Sequence, residues 1–177
     1  MIDLVKQSAR AGRLVAWEEV ARDGAQARTL LLGPQRVAIA RAHAALYGAY
    51  GPEHLIFAAG FAAVCAEERD AIRQVVHEVD SCQIACHARC TPQDIELALQ
   101  VLRGARYGRL TLIVPMSDRL TRALLHQSIH DTLRYARAMV RHALDRGNGT
   151  AVDIALMDAP QRTHGRSLRE TNHHRGT

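Results

Sequence analysis

Six residues at the end of an apolar run, Ala21-Arg22-Asp23-Gly24-Ala25-Gln26, put a guanidinium, a carboxylate and an amide around a glycine turn. By themselves Arg22 and Asp23 make either a polar site or an ion pair closing a turn. Further polar groups recur at comparable places: His87 and Arg89, Ser117-Asp118, and Asp158. Two other constellations are weaker. Cys82, Cys86 and Cys90 are spaced by four, which puts them on one side of an extended strand and fits no standard zinc or iron-sulfur pattern. His126 and His130 have the spacing of two ligands on one helix, but Ser128 reads as a cap between them and no third ligand follows nearby, so both are read as surface histidines.

The elements that would position these groups alternate strand and helix. Apolar runs at residues 14–20, 54–59, 83–88, 110–114 and 151–156 read as five strands. Helices are expected over 34–47, opened by Pro34, and over 67–79, with Ile72, Val75, Val76 and Val79 on one face. A third starts at Thr91-Pro92, buries Ile95, Ala98, Val101 and Leu102, and stops near Gly104. A fourth starts at Ser128, shows Leu133, Ala136, Val140 and Leu144 on one face, and ends at Gly147. Strands short and apolar enough to be covered on both faces imply parallel βαβ units, so the class is α/β. Arg22-Asp23, His87 and Arg89, Ser117-Asp118 and Asp158 then fall at or just beyond the C-terminal ends of strands, where parallel folds keep their functional groups. The absence of a glycine-rich phosphate loop after the first strand argues against dinucleotide binding. Trp17, in the first strand, is expected in the core.

Composition narrows the function classes. The 177 residues are 47% hydrophobic and carry a formal charge of +5 with Lys6 as the only lysine. The charges are scattered and aromatics are only 4%, which argues against nucleic-acid binding. No run approaches the roughly 20 apolar residues of a membrane span. Four cysteines without a secretory segment imply reduced thiols and a cytoplasmic location.

Taken in order, the motifs resemble the 2-isopropylmalate synthase, homocitrate synthase and HMG-CoA lyase group of metal-dependent, pyruvate carboxyltransferase-like TIM barrels. The family's first-strand Leu-Arg-Asp-Gly-Glu-Gln is similar to residues 21–26, and its Glu-Ala-Gly-Phe to Ala58-Ala59-Gly60-Phe61. His87-Ala88-Arg89-Cys90, Ser117 and residues 157–163 continue the series. The resemblance implies a partial (β/α)8 barrel over residues 14–163, with about five strands and four helices, between a lead at 1–13 and a disordered tail at 164–177. It further implies an acyltransferase that condenses acetyl-CoA with a 2-oxo acid, in which a divalent ion (zinc, manganese or magnesium) polarises the ketone. Asp23 would be the metal carboxylate, Arg22 the catalytic oxyanion partner, and Gln26, His87 and Arg89 the substrate contacts.

Some positions depart from the pattern. Ala58 and Met157 stand where the family carries glutamates, and its late His-x-His ligand pair has no counterpart. One carboxylate does not hold a catalytic ion tightly. A full barrel takes about 250 residues. The expectation is therefore a truncated barrel, inactive alone, that forms a homo-oligomer or needs a complementing chain. The alternative is a non-catalytic remnant or interaction module.

Overall fold

The structure is a computed structural model that describes residues 15–19, 31–47 and 50–158. Its five strands are β1 (Ala16–Glu18), β2 (Leu55–Phe61), β3 (Gln83–Arg89), β4 (Gly108–Pro115) and β5 (Ala151–Met157). All neighbours pair in parallel, in the order β1-β2-β3-β4-β5. Parallel strands that follow one another in space as they do in sequence, with helical crossovers between them, form half of a (β/α)8 barrel. The helices are α1 (Gly33–Tyr47), α2 (Ala66–Glu78), α3 (Pro92–Val101), α4 (Asp118–Leu125) and α5 (Ile129–Arg146), with a 3-10 turn at Pro52–His54. None of the described helices is long and apolar enough to cross a membrane.

The outer face of the sheet makes the core. Phe57, Ala59, Ile84, Cys86, Ala88, Leu110 and Leu112 pack there against Val37 and Ala40 of α1, Ile72, Val75 and Val76 of α2, and Ile95, Ala98 and Val101 of α3. The stripes expected on α2 and α3 are thus buried in full, together with Val79 and Leu102. Local signals account for the helix starts and stops. The Thr91 hydroxyl accepts from the Asp94 N–H at 3.2 Å and the Ser128 hydroxyl from the Asp131 N–H at 3.1 Å. Gly104 takes the left-handed conformation, φ 91°, just past α3.

Three expectations change. Helix α4 is a fifth helix where four were expected, because Ser117 serves as its cap, accepting from the Leu120 N–H at 3.1 Å. On α5 the buried residues are Thr132, Ala136 and Ala143, while Leu133 and Leu144 are exposed. That helix turns its small residues, not its leucines, to the sheet. Trp17 is not core but 40% exposed, on the concave side of the first strand of the sheet.

Candidate functional site

Alternation along each strand sends every second side chain to the concave inner face. On β1 this splits two adjacent glutamates. Glu18 reaches outward to His43 Nδ1 of α1 at 3.0 Å, and Glu19, just past the strand, reaches inward to His87 Nε2 at 3.0 Å. Strand register sets Phe61, His87, Thr111 and Asp153 side by side in one row across β2 to β5. Arg109 closes the lower end of this face. Its Nε and Nη2 donate to the two oxygens of Asp153 at 2.6 and 2.7 Å, and its Nη1 donates to Gln83. The Trp17 ring lies 6.0 Å from the His87 ring and walls it on the β1 side.

Arg89 stands one row above His87, at the C-terminal mouth. Its Nε and Nη2 donate to the Asp94 carboxylate at 2.6 and 3.2 Å, and its guanidinium lies 6.0 Å over the Phe61 ring. A side-on pair through Nε and Nη2 turns the Nη1 edge away from Asp94, so the charge is aimed and not merely neutralised. Beside it opens a cavity of about 880 Å³ whose walls include Ile113, Leu124, Leu125, Tyr135 and Met157. A second cavity, about 660 Å³, lies at the opposite ends of the strands among Gly104, Gly108 and Gly149. Parallel folds keep chemistry at the C-terminal ends, so the mouth beside Arg89 is the candidate site.

Burial pushes the Asp94 carboxyl upward, but the Arg89 hydrogen bonds and charge, with the Thr91 hydroxyl, outweigh it and hold the group below its ordinary value. A carboxyl depressed by folding adds stability that is complete above about pH 4 and is lost as pH falls through the folded-state value. Asp94→Asn will therefore flatten the acid limb of the stability curve below about pH 4, read by urea unfolding at a series of pH values. An unchanged acid limb would mean that the pair contributes nothing to folding.

The β2 strand reaches the mouth through a bulge between Ala58 and Gly60. A bulge orphans ladder groups, and a buried arginine and a partly buried glutamate take them up. Arg36 Nη1 donates to the Ala59 carbonyl at 2.7 Å, Glu68 accepts from the Phe61 N–H at 3.0 Å, and the two side chains pair at 2.6 Å. This clamp aims Phe61 inward under Arg89. Neither residue was read as functional from sequence, where a charge on an amphipathic helix looks solvated; the signal lay in Arg36 sitting one helical turn from Ala40 on the buried stripe.

Arg22, Asp23 and Gln26 lie outside the described residues. His87 and Arg89 are brought to one face in adjacent rows, and Glu19 joins them, a contact that sequence reasoning missed. Ser117 and Asp158 hydrogen-bond each other and link the ends of β4 and β5. The expected surface placement of His126 and His130 is observed. All four cysteines are free, and burial pushes the thiols of Cys82, Cys86 and Cys90 up to about 11, 12 and 11, which keeps them protonated and inert.

Residues 15–172 match the family model described as HMGL-like. The chain belongs to the HMGL-like family. It is similar to a homocitrate synthase, AksA, of Methanosarcina mazei, 26% identical over 104 residues, which cover 59% of this chain and 24% of that protein. It is also similar to the 2-isopropylmalate synthase of Lactococcus lactis subsp. lactis, 25% identical over 91 residues, covering 51% of this chain and 18% of that enzyme. The aligned part is thus a quarter or less of either relative. Register puts Ala58 and Met157, which stand where the resemblance expects glutamates, on the inner face of this HMGL-like sheet. No three His, Cys, Asp or Glu side chains among the described residues converge to hold a metal ion. The donors present there do not fit a metal centre, and Asp23 falls outside them.

Proposed function

We propose that this chain supplies the first half of an acyltransferase barrel in which acetyl-CoA condenses with a 2-oxo acid. The carrying observation is Arg89, aimed by Asp94 at the C-terminal mouth beside an apolar cavity of about 880 Å³. A guanidinium next to an apolar wall suits a carboxylate with an apolar side chain, which is the make-up of a branched 2-oxo acid. In this reading Arg89 binds the oxo-acid carboxylate, Phe61 and the cavity wall exclude water, and Arg22 and Gln26 are the proposed oxyanion partner and further substrate contact. No step is derived through a metal, because its donors are not assembled among the described residues. Asp23 is the proposed carboxylate ligand for zinc, manganese or magnesium.

The ring needs three further strands, from a second copy, a complementing chain or further sequence. Among the described residues strands β1 and β5 are the sheet's edges, and Ile154 and Leu156 on the outer side of β5 are 51% and 53% exposed. Open edges beside apolar surface favour association.

Calorimetric titration with a branched 2-oxo acid, with and without manganese or zinc, tests the reading. Asp23→Ala is expected to weaken the metal-dependent part of the affinity by more than the ~10–100-fold that loss of an outer-shell partner causes, and to leave the fold intact. Equal metal affinity in the variant would remove Asp23 from the site. A second reading, a non-catalytic barrel module that works through a partner chain, is favoured by one observation. Ala58 and Met157 put no ionisable group at two inner-face positions. A folded chain that binds neither oxo acid nor metal would establish it.

A further inference from the structure

We infer that the cavity at the N-terminal ends of the strands, about 660 Å³, binds a small phosphate-bearing molecule. It lies between two loops that open alike. Arg103-Gly104 follows α3 and leads into β4, and Arg146-Gly147 ends α5 and leads into β5. Arg103, Arg106 and Arg146 line the cavity, and Glu96 is the one acidic residue among the described residues that line it. A cation at a helix C-terminus is ordinary, since each such end carries roughly half a negative charge. The ends of α3 and α5 together with Glu96 offset about two of the three arginine charges, which leaves about one over. Glu96 is itself shared, lying 3.4 Å from His142 Nε2 and 3.7 Å from Arg146 Nε. Arg106 has Asp80 at 3.8 Å, but these side chains are 65% and 78% exposed, so water screens the pair. Arg103 has no ion-pair partner among the described residues.

The backbone adds donors to the same wall. Gly147 is right-handed, with φ −73° and ψ −11°, and Asn148 and Gly149 follow with φ of 42° and 90°. Such a succession turns neighbouring N–H groups to one side and makes a concavity suited to an anion. The turn's own hydrogen bond, from the Thr150 N–H to the Gly147 carbonyl at 2.9 Å, uses neither the Asn148 nor the Gly149 N–H. On the other loop the Arg106 guanidinium rests 5.3 Å from the centre of the Tyr107 ring, which limits its swing. Guanidiniums and N–H groups from two loops offer more donors than the two oxygens of a carboxylate can take. A phosphate group, with three acceptor oxygens and more than one negative charge, matches them. The volume falls in the range of small-molecule sites, roughly 300–1,000 Å³. The cavity and Arg89 are at opposite ends of the strands, so the site is a binding site and no part of the condensation reading uses it.

The test is a titration of the full 15N-labelled chain with pyrophosphate, followed by amide proton–nitrogen spectra and by calorimetry. Saturable shifts are expected at the amides of Gly104, Asn148 and Gly149. Arg103→Gln and Arg106→Gln are each expected to weaken binding about tenfold or more, the effect of one hydrogen bond to a charged group. Arg73→Gln, which removes an exposed charge on α2 outside the cavity, is expected to leave the affinity unchanged. Inorganic phosphate and AMP are then compared. Equal affinity assigns the site to the phosphate group alone, and tighter AMP assigns it to a nucleotide whose base meets Tyr107. Shifts that never saturate, or an equal loss in Arg73→Gln, overturn the proposal, because scattered surface charge then explains the binding. Unchanged affinity in both cavity variants overturns it as well. All three arginines are exposed, so the variants are expected to fold.

Discussion

Exchanging Arg36 for methionine will cost about 3–5 kcal/mol of stability, the range for removing one partner of a buried ion pair. Methionine fills much of the volume but strands three acceptors at once. Glu68 loses its counter-charge, and the carbonyls of Ala59 and Leu31 lose their donors. Arg36 is only 2% exposed, so water cannot easily take its place. For a chain of this size the loss corresponds to a fall in melting temperature of roughly 6–20 °C. Urea unfolding of the variant measures it directly. A change below about 1 kcal/mol would show that the bulge finds other partners.

Replacing Gly60 by alanine attacks the same clamp from the strand side. The added Cβ would come within 2.1 Å of Glu68 Oε1 and 2.7 Å of Arg36 Nη1, at a φ of +148° that side chains rarely adopt. Flexible tips often swing clear of such a clash, but these two are pinned to each other and to the backbone. The expected loss is about 3 kcal/mol or more, from backbone strain of about 1–3 kcal/mol together with a displaced ion pair. Because both changes break one unit, the losses will not add. With Arg36→Met already present, alanine at position 60 should cost at least about 0.5 kcal/mol less than in the wild-type chain. Full additivity in a double-mutant cycle would mean that the glycine is required only for its backbone angle.

The parts of this fold that were legible in sequence are those decided by local chemistry. Thr91-Pro92 opens α3 as its residue types require, and the apolar period of Ile72, Val75, Val76 and Val79 buries as one stripe. Helix α4 was missed because it is short, buries only Thr121, and begins with a serine that also reads as a polar group at a strand end. Trp17 was misplaced for a different reason. Large aromatics are usually buried, but which side of a strand is covered depends on elements far away in the chain. The placement of two candidate site residues was legible. His87 and Arg89 share a face because they are two residues apart on one strand, a purely local fact. Glu19 and Arg36 could not be found this way, since their partners lie 68 and 32 residues along the chain at His87 and Glu68.

Trp17 has a further use that follows from its position. It is the sole tryptophan of the chain, and its indole lies 6.0 Å from the imidazole of His87. A molecule packed against the concave face beside this indole is therefore expected to change the fluorescence of the unlabelled protein. The half-barrel comes with its own optical gauge, set in the wall of the site it reports on.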